Sequence, residues 1–522
     1  MAACGKRRFA LFGGLLLACG APSGGAPSGG RELTREEIPV LEPGWDIPIV
    51  DESALPEPAP EAGFIALEKT AYQARLEGDR EFTSEPARLF YNFVPAETGA
   101  KEKPVIVLFN GGPGAPATLL RCFGTGPNSL DAEDLSAPPA PNPYRFTRFG
   151  SLLYIDPRFS GFSYGVTEHP ESDAEREQAF REDSLNPTRD AADFAQVILR
   201  VLNKIPAIRN NPVVLVGESY GGTRAALMLD ILTDLGDDFS IYVNQAWKAE
   251  LDEHFASVFA RPERANRASR AKQFGWQILI QPLLFGAAQY DKMGDFSQRL
   301  YRDPAGPCRY HVGRTGAWCE ELERAATRTM VDPKSFETIV GVSPQRVPGL
   351  AASDRDGAFR GARSEATSET GFEELLGGLP TWDAYYTDQI SVALGNLTRT
   401  TEIYSYVHTA LRSLTQTQTL ITNALMDGVI ESSSILEVLA SMDGIQIESV
   451  AMPSTAQADT ISPADRPVDR LYTVRYPAAD QTREFTLFFP VYPDSGHAVT
   501  VSQPDKFFAD VQHFLASTGL GR

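Results

Sequence analysis

The chain is short of positive charge. Its 522 residues include 48 Lys and Arg against 68 Asp and Glu, a net charge of −20. Phosphate contacts need basic patches, so this balance excludes nucleic acid as a partner. Long apolar runs are also missing. Beyond the N-terminus no stretch is long enough to span a bilayer. Histidine is rare, with six in all, so any chemistry that needs an imidazole has a short list of candidates. Of the five cysteines, only Cys122, Cys308 and Cys319 lie beyond residue 19, which leaves room for at most one internal disulfide.

The N-terminus carries a signal. Lys6, Arg7 and Arg8 precede a short apolar stretch from Phe9 to Ala18, followed by Cys19. A basic segment followed by a short apolar one is the pattern of an export signal. Leu16-Leu17-Ala18-Cys19 is similar to the lipobox of bacterial lipoproteins, where the cysteine is acylated. Residues 20–30 are Gly, Ala, Pro and Ser only, as in a flexible tether. Two readings follow: a membrane-anchored protein lipidated at Cys19, or an ordinary cleaved signal with a coincidental cysteine. Both take the chain out of the cytoplasm, where disulfides are allowed. Cys308 and Cys319 bracket a short loop and are the expected pair. His311 beside them raises a metal site as the alternative, but three ligands lack a fourth. Cys122 is then a buried free thiol.

What remains reads as strands alternating with helices. Ala87–Val94, Val105–Phe109, Leu152–Ile155, Val213–Val216, Gln277–Ile280, Thr419–Thr422 and Phe485–Phe489 are apolar runs of strand length. Asp190–Leu202 has helical spacing of apolar residues. Such alternation predicts an α/β fold, a mostly parallel sheet with helices on both faces. We divide the chain into a signal (1–18), a tether and extended lead-in (19–62), a core (63–286) with a charged helical insertion at about 236–274, a cap insertion (287–400), and the rest of the core (401–522). No repeat is evident.

One motif stands out. Val213-Val214-Leu215-Val216-Gly217-Glu218-Ser219-Tyr220-Gly221-Gly222 runs from an apolar strand through Gly-x-Ser-x-Gly into a helix-forming segment. That order lifts Ser219 onto a sharp turn with its hydroxyl free, as in a nucleophile elbow. Gly217 and Gly221 are expected where strand and helix come too close for side chains. A serine hydroxyl is a poor nucleophile until a base takes its proton. Among the histidines, His497 lies in a glycine-bearing loop, Asp494-Ser-Gly-His-Ala498, after a late strand; His311 is in the cysteine loop, His169 and His254 lie in charged surroundings, and His408 and His513 sit in helix-like stretches. An acid between Ser219 and His497 completes the chemistry by orienting the imidazole. Asp427 follows the strand at Thr419–Thr422 and is the first candidate; Asp443, also before a glycine, is the second. Donors for an oxyanion are expected at the backbone N–H of Tyr220 and in the glycine loop Asn110-Gly111-Gly112-Pro113-Gly114, at Gly112.

Taken together, these segments resemble the serine carboxypeptidases, a branch of the α/β-hydrolases. Asn-Gly-Gly-Pro-Gly at 110–114, Gly-Phe-Ser-Tyr at 161–164 after Asp156, Gly-Glu-Ser-Tyr-Gly-Gly at 217–222 and Gly-His at 496–497 before Gln503-Pro504 follow that family's order. The resemblance implies an α/β-hydrolase fold with an inserted cap, a triad of Ser219, Asp427 and His497, and an oxyanion hole at Gly112 and Tyr220. It also implies that Asn110 and Glu218 bind the terminal carboxylate of a peptide. A buried Glu218 that stays protonated could donate a hydrogen bond to that carboxylate, which would favour acid pH. The sequence departs from the family in places. Ala115-Pro116-Ala117 follows the glycine loop where Cys-Ser-Ser or Ser-Ser-Ser is common. Gly124 stands where many members carry a second glutamate. Asp156-Pro157-Arg158 replaces Asp-Gln-Pro, and the interval from Asp427 to His497 is long.

The expected function is a serine-type carboxypeptidase acting through an acyl-enzyme, with no metal or organic cofactor. Its partners would be a peptide with a free C-terminal carboxylate and, through Cys19, a membrane. The same machinery could serve an esterase, an acyltransferase or an N-terminal peptidase. A non-catalytic surface lipoprotein on the same fold is the alternative of another class.

Overall fold

A computed structural model describes residues 55–76, 80–84, 86–158, 160–165, 185–234, 241–244, 272–290, 332–347, 406–425, 429–451, 470–477 and 482–520, with scattered single positions that include His254 and Asp427. Its frame is one large sheet. The strands are β1 (Glu61–Leu67), β2 (Ala87–Val94), β3 (Val105–Phe109), β4 (Ser151–Ile155), β5 (Val213–Glu218), β6 (Trp276–Ile280), β7 (Gln418–Ile421), β8 (Gln446–Ala451), β9 (Arg470–Pro477) and β10 (Thr482–Phe489). They lie in the order β1-β2-β4-β3-β5-β6-β7-β10-β9-β8, and a short strand at Tyr164–Gly165 also pairs with β2. The central run from β4 to β10 is parallel. The flanking pairs at both ends are antiparallel.

The expected apolar runs became strands because both sheet faces are buried, so every side chain along them must be apolar. In β3, Val105, Val107 and Phe109 join the cluster on one face, while Ile106 and Leu108 join the cluster on the other. Helices α1 (Pro187–Lys204), α2 (Gly221–Asp234) and α3 (Val407–Gln416) cover the first face through residues such as Phe194, Leu227 and Leu414. Helix α4 (Pro504–Ser517) covers the second through Phe507, Val511 and Phe514. Local chemistry starts α1: the Asn186 side chain accepts from the Arg189 N–H at 2.8 Å, Pro187 opens the first turn, and Asp190 lies within it. A side-chain oxygen at the cap and a carboxylate in the first turn both satisfy the unpaired N–H groups there.

Two expectations gain detail. The long interval between Asp427 and His497 holds the antiparallel strands β8 and β9, which pair with each other and, through β9, with β10. Most of the expected insertion at about 236–274 and most of the expected cap at 287–400 lie outside the described residues. Within the latter, the helix Pro333–Val340 is described. Its Phe336, Ile339 and Val340 pack with Phe64, Phe90 and Phe162, and the Asn92 side chain donates to the Val340 carbonyl at 3.0 Å. No helix among the described residues is long and apolar enough to cross a membrane.

Candidate active site

Parallel strands end together at one edge of the sheet, and the candidate residues lie there because each follows a strand. Ser219 is the residue after β5. Its φ is +60°, a left-handed conformation that costs a non-glycine residue about 1–3 kcal/mol and persists only where the surroundings enforce it. The enforcement is visible. The Ser219 N–H donates to the Ile280 carbonyl at 2.9 Å, and the Ser219 carbonyl accepts from Leu283 and Gly222, each at 2.9 Å. A Cβ on Gly217 would sit 2.5 Å from the Gly221 carbonyl oxygen and 2.8 Å from the Phe109 ring. At Gly221 the nearest atoms are 3.3 Å away, so the steric demand expected at both glycines falls mainly on Gly217.

The glycine loop after β3 packs directly on this turn. A Cβ on Gly111 would lie 2.5 Å from the Tyr220 nitrogen, 2.6 Å from the Glu218 oxygen and 2.7 Å from the Ser219 Cβ. No side chain fits there, and the loop backbone approaches the Tyr220 N–H as closely as two chains can. Gly112 follows with a φ of +97°. The two expected oxyanion donors thus belong to neighbouring pieces of backbone.

His497 and Asp427 meet. The imidazole Nδ1 donates to the Asp427 Oδ2 at 2.8 Å, and both side chains are buried. Asp427 also accepts from the backbone N–H groups of Val429 (2.8 Å) and Ile430 (3.1 Å) through Oδ1, and from the Gln281 side chain through Oδ2. Burial is the largest influence on His497 and opposes its charge. The negative charge of Asp427, its hydrogen bond and the charge of Glu218 together outweigh burial, so the imidazole pKa is raised above its ordinary value. The influence of Glu218, the residue before Ser219, brings His497 within electrostatic reach of the turn. Asp443, the second candidate acid, lies in the turn after the helix Ser434–Ala440.

Asn110 and Glu218, expected to bind a carboxylate, are both almost fully buried, at 3% and 5% exposure. The Asn110 side-chain oxygen has no hydrogen-bond partner among the described residues. Gly124, where the resemblance would place a second glutamate, is closely packed. A Cβ on Gly124 would fall 2.5 Å from the Cβ of Thr500, three residues past His497. Nearby Arg121 is fully buried, with its guanidinium 4.9 Å from the centre of the Tyr154 ring. Burial raises the Asp156 pKa, opposed by the Arg121 charge and by N–H groups of Phe162 and Ala117.

Sequence reading missed two supports. Arg224 of α2 and Asp190 of α1 form a buried ion pair at 2.7 Å, to which the Tyr220 hydroxyl donates at 3.0 Å. The same guanidinium donates to the Asn110 carbonyl, tying the glycine loop to the helix behind Ser219. Charged residues 34 positions apart in two different helices leave no sequence signal of such pairing. The other support is Gln281, whose only local marker is its place at a strand end before Pro282. His254, set aside as a candidate base, is buried and bonds Asn203 at 2.8 Å. Cys122 is free and buried, as expected, and burial pushes its thiol up to about 12. Cys19, Cys308 and Cys319 lie outside the described residues.

The strand order and the strand–turn–helix at Ser219 define an α/β-hydrolase fold. Residues 80–238 match the family profile described as serine carboxypeptidase. Among curated relatives, "Serine carboxypeptidase-like 5" of Arabidopsis thaliana is 28% identical over 142 residues, 26% of this chain and 30% of that one. "Serine carboxypeptidase 3" of Hordeum vulgare is 31% identical over 137 residues, 26% of this chain and 24% of that one. The matched stretch therefore spans under a third of these relatives. The profile match at 80–238 includes the glycine loop and Ser219 and ends before Asp427 and His497. A crystal structure of a prohormone-processing carboxypeptidase from Saccharomyces cerevisiae, Kex1(Δ)p, superposes with a TM-score of 0.46 at 13% identity, covering 87% of this chain and 90% of that one.

Proposed function

We propose that the protein is an exported serine-type carboxypeptidase. The observation that carries this reading is the His497–Asp427 hydrogen bond at 2.8 Å at the sheet edge where Ser219 is held on a strained turn. In this reading Ser219 attacks the scissile carbonyl, and His497 takes its proton and returns it to the leaving amine. Asp427 fixes the imidazole tautomer and stabilises the imidazolium. The N–H groups of Tyr220 and Gly112 receive the oxyanion, and water releases the acyl-enzyme. No step calls for a metal or organic cofactor. Asn110 and a protonated Glu218 would donate to the substrate's terminal carboxylate. Asn110 is buried at the start of the glycine loop that packs on the Ser219 turn, which supports that role. Cys19 would carry the lipid that anchors the exported chain, with residues 20–62 as its tether. Residues 287–400 would be the cap.

Mass spectrometry of defined peptides after incubation tests the reaction. Stepwise loss from the C-terminal end, abolished in Ser219→Ala, is expected. Loss from the N-terminal end, or turnover of esters alone, removes the carboxypeptidase reading. An alkaline loss of activity on free-carboxylate peptides, greater than on the matching amides, is expected from Glu218. Parallel pH profiles remove that role.

A further inference from the structure

Only two described non-glycine residues have a positive φ: Ser219 at +60° and Gln281 at +45°. They are neighbours. Glu218 and Ile280 are register partners in the parallel strands β5 and β6, and Ser219 and Gln281 are the next residue of each. Hydrogen bonds from Ser219 N–H to Ile280 and from Leu283 N–H to the Ser219 carbonyl, both 2.9 Å, clasp the serine on either side of Gln281. The strained glutamine is therefore part of the turn that presents the serine.

Its side chain goes the other way, to the acid. Gln281 is fully buried. Its Oε1 accepts from the Ala424 N–H at 2.8 Å and from the Thr422 hydroxyl at 3.1 Å, and its own N–H donates to the Thr422 oxygen at 2.9 Å. The Ala424 N–H can only donate, so the amide oxygen must face it and the amide nitrogen must face away. That nitrogen donates to the Asp427 Oδ2 at 2.8 Å and to the Ile430 carbonyl at 3.3 Å. Oδ2 is also the oxygen that holds His497 Nδ1. A single residue thus grips the serine turn with its backbone and the carboxylate with its side chain.

The geometry points to Gln281 as a positioning residue that sets Asp427, and through it His497, relative to the Ser219 hydroxyl. The inference rests on the serine hydrolase reading above. Its amide acts in two ways. It fixes the rotation of the carboxylate, so that the imidazole ring is aimed at the serine. It also shares the negative charge on Oδ2, which moderates the pull of Asp427 on the imidazolium. Orientation of this kind acts on the chemical step, because the bound substrate makes no use of it.

Two variants test it on an activated ester and a peptide. Gln281→Met keeps the volume and removes the donor. It is expected to lower kcat at least about ten-fold, with KM held within about two-fold, and to move the acid limb of kcat/KM to higher pH as the unshared carboxylate charge favours the imidazolium. Gln281→Glu keeps the shape. While the new carboxyl is protonated it can donate to Asp427, so activity near that of the unaltered protein is expected at the acid end. As pH rises and that proton leaves, two carboxylates face each other and activity should fall away. Circular dichroism and melting temperature report folding. A folded Gln281→Met with unaltered kcat and acid limb overturns the proposal. So does an equal loss in both variants at every pH, or the failure of both to fold, since each marks a structural role alone. If the unaltered protein shows no turnover that Ser219→Ala abolishes, the hydrolase reading itself falls, before any variant at 281 is compared, and takes this proposal with it.

Discussion

The charge of Glu218 bears on His497. Both side chains are buried, and the glutamate helps Asp427 to raise the imidazole pKa against the opposing influence of burial. The residue proposed to recognise substrate therefore also tunes the proposed base. A general base acts when neutral, so a raised pKa means that activity falls as pH drops through that raised value. Glu218 contributes in this way only while it is ionised, whereas the carboxylate-binding role requires it protonated, so the two roles belong to different protonation states of one residue.

Glu218→Gln should separate them. With the charge at 218 gone, one contribution that raises the imidazole pKa is lost, and the acid limb of kcat/KM should move to lower pH. The measurement is a pH profile on an ester without a free carboxylate, so that substrate recognition does not enter. An unmoved limb, or one that moves up, contradicts the coupling.

Arg224 should matter for stability as much as for activity. It is fully buried, pairs with Asp190 at 2.7 Å and donates to the Asn110 carbonyl. Burial already raises the Asp190 pKa, and Arg224 counters it. Arg224→Met leaves a buried carboxylate without its cation, which should cost about 3–5 kcal/mol in urea unfolding. Adding Asp190→Asn should return much of that loss. A single variant as stable as the unaltered protein would show that the pair contributes nothing.

His254 should make the fold sensitive to acid. Burial drives its pKa down to about 4, with a hydrogen bond to Gln273 opposing and Arg209 assisting. An imidazole with a lowered folded pKa is neutral in the native state while the unfolded chain takes up a proton near pH 6.5. Stability is therefore full above that value and is lost as pH falls from there towards 4. The expected loss from His254 is about 2 kcal/mol between about pH 7 and pH 4.5. In urea unfolding the unaltered protein should lose more stability than His254→Gln between those pH values, by about that 2 kcal/mol. Equal pH dependence in the two would exclude His254 as the sensor.

Some of this protein was legible without coordinates. Strands buried on both faces must be apolar throughout, so β3 was expected at Val105–Phe109, the residues it occupies. The Ser219 turn was legible for a similar reason: close backbone approach leaves room only for glycine, and the demand at Gly217 is met within the chain's own neighbours. The edge strands were not. β8 and β9 carry polar residues and are only half covered, so their sequences read as the filler of a long gap.

The relations between distant segments belonged to the tertiary structure. Asp427 and Asp443 each precede a glycine, and nothing local ranks one above the other. Contact across 70 residues brings Asp427 to His497, and contact across 146 brings Gln281 to Asp427. The meeting of Gly124 and Thr500 is of the same kind. A residue pattern encodes which backbone a segment can adopt and which face it buries. Which side chains then touch depends on strand order and register, and those are set only when the whole sheet assembles.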